Sequence, residues 1–225
     1  LALANYLEKL KAKVIFICRN HYGSSHELVL KQKFRLHLLN GKEDQEISLK
    51  HKDWLGFTQL QDVSESSIFI DMYPGSHVIV DHYGLDCQWE SNINCESMTV
   101  IDDLADRHHK CSLLIDQSLK NTKLNYENLV DGNFDFMGGN LVILREEFSD
   151  ERAWEALGSG KVLICMGGAD PKSYTKKILE NIILNHKRCS SPQDEIEINV
   201  IVGSACTDYD AVSYTHLTLP TTPVV

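Results

Sequence analysis

Short runs of consecutive apolar residues recur along the chain, separated by longer stretches in which apolar residues return every third or fourth position. Leu3, Tyr6, Leu7 and Leu10 share one helical face, so a helix is predicted at the very start. A buried strand follows over 13–19 (KVIFICR), then a turn at Gly23, Ser24 and Ser25, a short helix over 27–33 and a weaker strand over 34–39. The polar segment 40–52 reads as a surface connection. Asp53 is placed to cap a helix running through Trp54, Phe57, Leu60 and Val63. Three more strands are predicted over 77–81, 98–103 and 112–117, with a helix over 85–94 after the first of them. Runs without alternation suit strands covered on both faces. Their alternation with helices predicts right-handed crossovers and a mostly parallel sheet.

Residues 121–144 are less regular and are interrupted by Gly132, Gly138 and Gly139; Leu141 to Leu144 are apolar and 145–148 turn polar. A short helix over 150–157 leads to Gly158, Ser159 and Gly160, where the shift in composition predicts a domain boundary. A second unit then begins with a strand over 161–166, a turn at Gly167, Gly168 and Ala169, a helix over 171–186 and a strand over 196–202. The expected domains are 1–148, 149–211 and a tail of 212–225.

A net charge of −10 offers no basic stripe to a nucleic-acid backbone, so no nucleic-acid partner is expected. No apolar run approaches the roughly 20 residues of a membrane span, so no membrane insertion is expected. The first ten residues carry charges where a signal peptide would be continuously apolar. The seven cysteines are scattered without a Cys-x-x-Cys pair, as expected of thiols in a reducing, cytoplasmic compartment. The chain lacks an initiator Met, and Val212-Ser213-Tyr214-Thr215-His216-Leu217-Thr218-Leu219-Pro220-Thr221 resembles a translated sequencing adapter. A fragment cut at both ends is therefore expected, with a native polar tail as the alternative.

Candidate chemistry gathers where strands end. After Val78, Ile79 and Val80 the sequence releases Asp81, His82, Tyr83 and Gly84 into a turn, the position at which open α/β sheets bind ligands. The alternative is an ordinary strand-to-helix turn with Asp81 or Asp86 as a cap. Gly167 and Gly168, with Asp170 at a cap position and Pro171 in the first helical turn, form a candidate phosphate cradle. A carboxylate at that cap would compete with an anion, and a purely structural turn remains the alternative. Asp102, Asp103, Asp106, His108 and His109 invite a metal reading, but adjacent residues of an extended segment point in opposite directions. No bound metal is expected; Asp102 and Asp103 are read instead as taking backbone and sugar hydroxyl hydrogen bonds, balanced by Arg107. No Gly-x-Ser-x-Gly elbow occurs, and Cys165 is expected in the core.

Taken in order, His77-Val78-Ile79-Val80-Asp81-His82-Tyr83-Gly84-Leu85-Asp86, Ile101-Asp102-Asp103 with His108-His109-Lys110-Cys111, Leu144-Arg145-Glu146-Glu147-Phe148 and Ile164-Cys165-Met166-Gly167-Gly168-Ala169-Asp170 resemble the UDP-2,4-diacetamido-2,4,6-trideoxy-β-L-altropyranose hydrolases of pseudaminic acid biosynthesis. The resemblance spans about residues 1 to 186, and Asp81-His82-Tyr83-Gly84 is its most specific part. It implies a GT-B-like α/β fold of two Rossmann-like domains with mostly parallel sheets, the second of them incomplete here. It also implies inverting hydrolysis of a UDP-linked sugar at the anomeric carbon with C–O cleavage. UDP leaves, and the free sugar goes on towards a nonulosonate used in surface polysaccharide or flagellin glycosylation.

By this resemblance Tyr83 is an active-site tyrosine that orients water or sugar, with His82 beside it. Asp81, Asp102, Asp103, Gly167, Gly168, Ala169 and Asp170 are expected to bind substrate. The general base is a histidine in a Gly-x-Gly-His motif just ahead of the first helix, so base and first strand are expected to precede Leu1. No cofactor is implied. Fusion or association with other enzymes of the pathway is a further expectation. Two alternatives stay open: a GT-B UDP-sugar glycosyltransferase, and a non-catalytic nucleotide-sugar-binding module.

Overall fold

A computed structural model describes residues 1–21, 24, 26–42, 50–139, 141–148, 161–167, 170, 172–189, 197–203 and 206. The chain divides into two compact units, Leu1–Asp150 and Glu151–Val225. The helix predicted over 150–157, the glycines at 158–160 and the tail 212–225 lie outside the described residues.

The first unit opens with α1 (Ala2–Lys9), β1 (Ile15–Arg19), α2 (His26–Lys31) and β2 (Arg35–Leu39). A 3-10 turn (His51–Leu55), α3 (Gln59–Ile70), β3 (His77–Val80), α4 (Cys87–Glu90) and β4 (Ser97–Ile101) follow. The unit continues with β5 (Leu113–Asp116), α5 (Lys123–Tyr126), β6 (Asp135–Gly138) and a 3-10 turn (Glu146–Phe148). Every ladder is parallel: β1 pairs with β2, and β3, β4, β5 and β6 form a second sheet in that order. Val80 lies opposite Val100, and Ile101 opposite Ile115. Val100 and Leu114, on the two inner strands, are almost completely buried against Trp89, Val130 and Tyr126. This is the α/β architecture with parallel sheets that the alternating runs predict.

The helix expected from Asp53 through Val63 is in fact two elements. Gly56 takes a left-handed φ of 69° and stops the 3-10 turn. Thr58 then caps α3, its hydroxyl accepting the N–H of Gln61 at 3.2 Å while the Gln61 side chain returns to the Thr58 N–H. That reciprocal box starts a separate helix. The helix expected over 85–94 shrinks to α4, one turn capped by Asp86, whose Oδ1 accepts the Gln88 N–H at 2.8 Å. Of the two aspartates weighed as caps, Asp86 has that place.

The irregular region 121–144 contains α5 and a whole strand, β6, whose glycine end and edge position gave it a weak apolar signal. Leu141, Val142 and Leu144 are exposed and form no strand. Arg19, at the end of β1, is buried; its Nε donates to Asp62 Oδ2 at 3.0 Å and its guanidinium stacks 4.2 Å from the Phe57 ring centroid. Trp89 Nε1 donates to the other Asp62 oxygen at 2.8 Å. One buried carboxylate on α3 thus ties down β1 and α4 together.

In the second unit β7 (Lys161–Cys165) pairs in parallel with β8 (Glu197–Ile201), and α6 (Tyr174–Cys189) packs Leu179 against Ile164 and Ile198. Cys165, expected in the core, is exposed at the end of β7. Cys18, Cys87, Cys95, Cys111, Cys165 and Cys206 are free thiols, with Cys111 and Cys206 buried. No described helix is long and apolar enough to cross a membrane.

Candidate functional site

Three parallel strands, β3, β4 and β5, end side by side and release polar residues in the same direction. From β3 come Asp81, His82, Tyr83 and Gly84; from β4, Asp102 and Asp103; and β5 ends on Asp116 itself. Parallel pairing alone accounts for this gathering, because all the carboxyl ends share one edge. A cleft of about 180 Å³ lined by Ile70, Pro74, Gly75, Asn94, Cys95 and Glu96 opens at the other, amino-terminal edge and shares no residue with this group.

Tyr83 is the centre of the cluster. Its hydroxyl donates to Asp103 Oδ1 at 2.7 Å. The His51 ring stacks on it at 4.9 Å, the Trp54 ring meets it edge-on at 5.9 Å, and the Arg107 guanidinium lies 5.7 Å from its centroid. Burial, the hydrogen bond to Asp103 and the nearby carboxylates push its pKa up to about 12. At neutral pH it is a fixed phenolic donor and cannot serve as a base. His51 and Trp54 come from the turn before α3 and were not singled out in the sequence. A histidine and a tryptophan at the end of an otherwise polar segment were the only signal.

Asp81 keeps its side chain open to solvent. Desolvation by the surrounding protein raises its pKa, and Asp103 adds to the rise. His82 turns back on its own loop: the Gly84 N–H donates to its Nδ1 at 2.9 Å. A Cβ at Gly84 would stand 3.0 Å from His82 Cε1 and 3.2 Å from Leu55 Cβ, so the loop is built around the missing side chain. Burial lowers the His82 pKa; Asp62 works against that, while His21, Arg107 and Arg19 add to it. The ring is therefore a neutral acceptor.

Asp102 and Asp103 are adjacent, but Asp102 lies in the interior and Asp103 is half-buried at the strand-end surface. Asp103 meets Tyr83, whereas Asp102 is only 2% exposed. The Asp102 carboxylate accepts the Ala105 N–H at 3.0 Å, pairs with Arg107 at 2.7 Å and has the Tyr126 hydroxyl at 3.2 Å. Of the backbone and sugar hydroxyl bonds expected of this pair, Asp102 makes the backbone one, and with it holds its own loop. Arg107 also donates from Nε to the Leu85 carbonyl at 3.0 Å, and so clamps the turn after β3 to the loop after β4.

Below them, Tyr126 donates to Asp116 Oδ2 at 2.8 Å and Asn121 donates to the same oxygen at 2.9 Å. Burial pushes Asp116 up, but hydrogen bonds from Ser118, Asn121 and Tyr126 outweigh it and hold its pKa below the usual carboxylate range. His108 is exposed and His109 fully buried, so the pair diverges; His109 Nδ1 meets Glu90 Oε1 at 2.7 Å. Glu90 was absent from the sequence reading, since nothing local marks a helical glutamate as the partner of a histidine nineteen positions on.

In the second unit, Gly167 has a φ of 79°, as the turn after β7 requires. Asp170 is 5% exposed and accepts the N–H groups of Tyr174 at 2.9 Å and Thr175 at 2.8 Å. Burial works to raise its pKa, but those hydrogen bonds and Lys177 lower it on balance. The helix-end donors offered to a phosphate in the sequence reading are thus already taken by a carboxylate, and the helix begins at Tyr174, not at 171. Gly168, Ala169 and Pro171 lie outside the described residues.

Fold and site together define an α/β protein with parallel sheets whose polar groups converge at the carboxyl ends of its strands. No family model matches the chain. It is similar to the UDP-2,4-diacetamido-2,4,6-trideoxy-beta-L-altropyranose hydrolase of Campylobacter jejuni, with 30% identity over 109 residues, 47% of this chain. The match spans 39% of that protein's length.

Proposed function

We propose that the protein to which this chain belongs hydrolyses a UDP-linked 2,4-diacetamido-2,4,6-trideoxy sugar at its anomeric carbon. The observation that carries this reading is the 30% identity over 109 residues to a hydrolase of that substrate. The strand-end cluster of Asp81, Tyr83 and Asp103 supplies hydrogen-bonding groups suited to a sugar. In this reading water attacks C1 on the face opposite UDP, the C1–O bond to the diphosphate breaks, and configuration inverts. UDP is a good leaving group, so stabilising its charge matters more than protonating it. Tyr83, a phenol held protonated, orients the sugar or the water. Asp81, with a raised pKa and an open side chain, sits beside it. The general base is the upstream histidine that the resemblance implies, and the turn after β7 in the second, Rossmann-like lobe of a GT-B fold faces the nucleotide.

The test is to incubate the full-length protein with the UDP-sugar in H₂¹⁸O. The reading expects UDP release with the label on the sugar and not on the phosphate. UDP released only when an acceptor is added would make the protein a glycosyltransferase, and UDP binding without turnover would make it a binding module. The 225-residue chain alone is expected to be inactive, and turnover by it would overturn the placement of the base.

A further inference from the structure

The strand-end cluster has an apolar side as well as a polar one. His51, Trp54 and Tyr83 form a closed triangle of rings: His51 stacks on Tyr83 at 4.9 Å and meets Trp54 at 4.7 Å, and Trp54 meets Tyr83 at 5.9 Å. The planes of Trp54 and Tyr83 lie 67° apart, so these two rings make a corner and not a stack. His51, in contact with both, holds the angle. The turn that carries Trp54 is pinned from within. Leu55 is buried in the main core, its carbonyl meets His21 Nε2 at 2.8 Å, and Gly56 ends the turn with a left-handed φ of 69°. With Leu55 turned inward, its neighbour Trp54 is left 38% exposed beside polar strand ends. A ring of that size, so placed, offers apolar surface to whatever binds there.

Polar and apolar groups meet in one residue. Tyr83 belongs to the triangle through its ring and to the polar cluster through its hydroxyl, which donates to Asp103 Oδ1 at 2.7 Å. Asp81, two positions earlier, keeps an open side chain. Carboxylates bring acceptors and an aromatic corner brings apolar surface, so the matching ligand has N–H or O–H donors and a methyl-bearing flank. A UDP-linked 2,4-diacetamido-2,4,6-trideoxy sugar has that chemistry. It keeps a single ring hydroxyl, at C3, presents two amide N–H donors, and carries three methyl groups, one at C6 and one on each acetamido arm.

We infer that Trp54 is a specificity-determining residue: the corner it makes with Tyr83 packs against the methyl groups of a deoxy, acetamido sugar and disfavours a sugar with hydroxyls in their place. The inference rests on the proposed reaction and names the group that chooses its substrate. A methyl group against the indole leaves water at no loss, whereas a hydroxyl there gives up its hydrogen bonds to water and finds no partner on the ring. Rejection of an added hydroxyl by an apolar wall is worth on the order of 10²-fold.

The test compares kcat/KM of the full-length protein for the UDP-linked 2,4-diacetamido-2,4,6-trideoxy sugar and for an analogue of the same ring configuration with hydroxyls at C4 and C6. The parent favours the first. Trp54→Ala lowers kcat/KM for the first substrate by roughly tenfold or more and changes that for the analogue little, so the preference narrows. Trp54→Phe, which keeps an aromatic ring, recovers most of it. An equal loss on both substrates, or an unchanged preference, overturns the inference. Should Trp54→Ala fail to fold, as melting curves will show, a second measurement on the parent decides. Intermolecular NOEs are read between indole protons and the methyl groups of the free diacetamido sugar, with Trp54→Phe assigning the indole. Contacts from Trp54 to those methyl groups are expected. A sugar that does not bind, or that binds without touching Trp54, refutes the wall. A sugar that binds against Trp54 while its UDP conjugate is not hydrolysed upholds the wall and rejects the proposed reaction instead.

Discussion

The hydroxyl of Tyr83 donates to the carboxylate of Asp103 at 2.7 Å, and this contact joins the turn after β3 to the turn after β4. Arg107 closes the same junction from below through the Leu85 carbonyl and Asp102. The strand-end cluster is therefore a braced surface whose hydrogen-bonding groups are held in place before any ligand arrives.

Tyr83→Phe removes the donor and leaves the ring with its stacking partners. If the phenol orients the reacting groups, activity of the full-length protein falls roughly 10- to 100-fold, as for a lost hydrogen bond to a charged group of about 1.5–3 kcal/mol. Thermal stability falls as well, because the part-buried hydrogen bond to Asp103 is lost with the hydroxyl. Parallel UDP-release assays and melting curves check both. The folded-state pKa of about 12 lies above the unfolded value near 10, so this group's contribution is intact below pH 10 and is lost as pH rises through 12.

His82 works in the opposite direction. Its pKa is lowered by burial, so the fold disfavours the imidazolium. The stability it contributes is present above the unfolded pKa of about 6.5 and is lost as pH falls through the folded value. Denaturation midpoints at pH 7.5 and 5.5 should differ more for the parent than for His82→Asn, which keeps an acceptor for the Gly84 N–H but cannot ionise.

Tyr126→Phe leaves Asp116 Oδ2 with one buried donor instead of two and is expected to cost about 1–3 kcal/mol, read from denaturant midpoints. The loss should shrink in acid. Asp116 has a lowered pKa, so its contribution is present above the unfolded carboxylate value and disappears as pH falls through the folded one.

Asp170→Ala strips the cap from α6 and exposes the Tyr174 and Thr175 N–H groups. The expected cost is about 0.5–2 kcal/mol, with faster exchange confined to the first turn of α6. Asp170→Asn, which keeps an acceptor, should recover most of it.

Much of the architecture was legible because it is local. Apolar runs such as those in β3, β4 and β5 name their own strands, and Asp86 announces a cap one residue ahead of α4. The split at Gly56 and the strand β6 were missed where a single glycine or an edge position weakened the periodic signal. In the site, the turn holding Asp81, His82 and Tyr83 was visible as an apolar run giving way to polar residues. The aromatic partners His51 and Trp54 were not, since they reach Tyr83 across some thirty positions of chain.

The amino-acid sequence by itself determined that parallel strands end in polar turns, because a continuous apolar run, the polar residues that end it and the conformational freedom of glycine all act within a few residues. Only the tertiary structure decided what each polar group does there. Asp102 and Asp103 are chemically identical neighbours, yet one is enclosed by Arg107, Ala105 and Tyr126 while the other meets Tyr83. A carboxylate can enter the interior only where distant elements supply its donors, and no local pattern records where those donors will arrive.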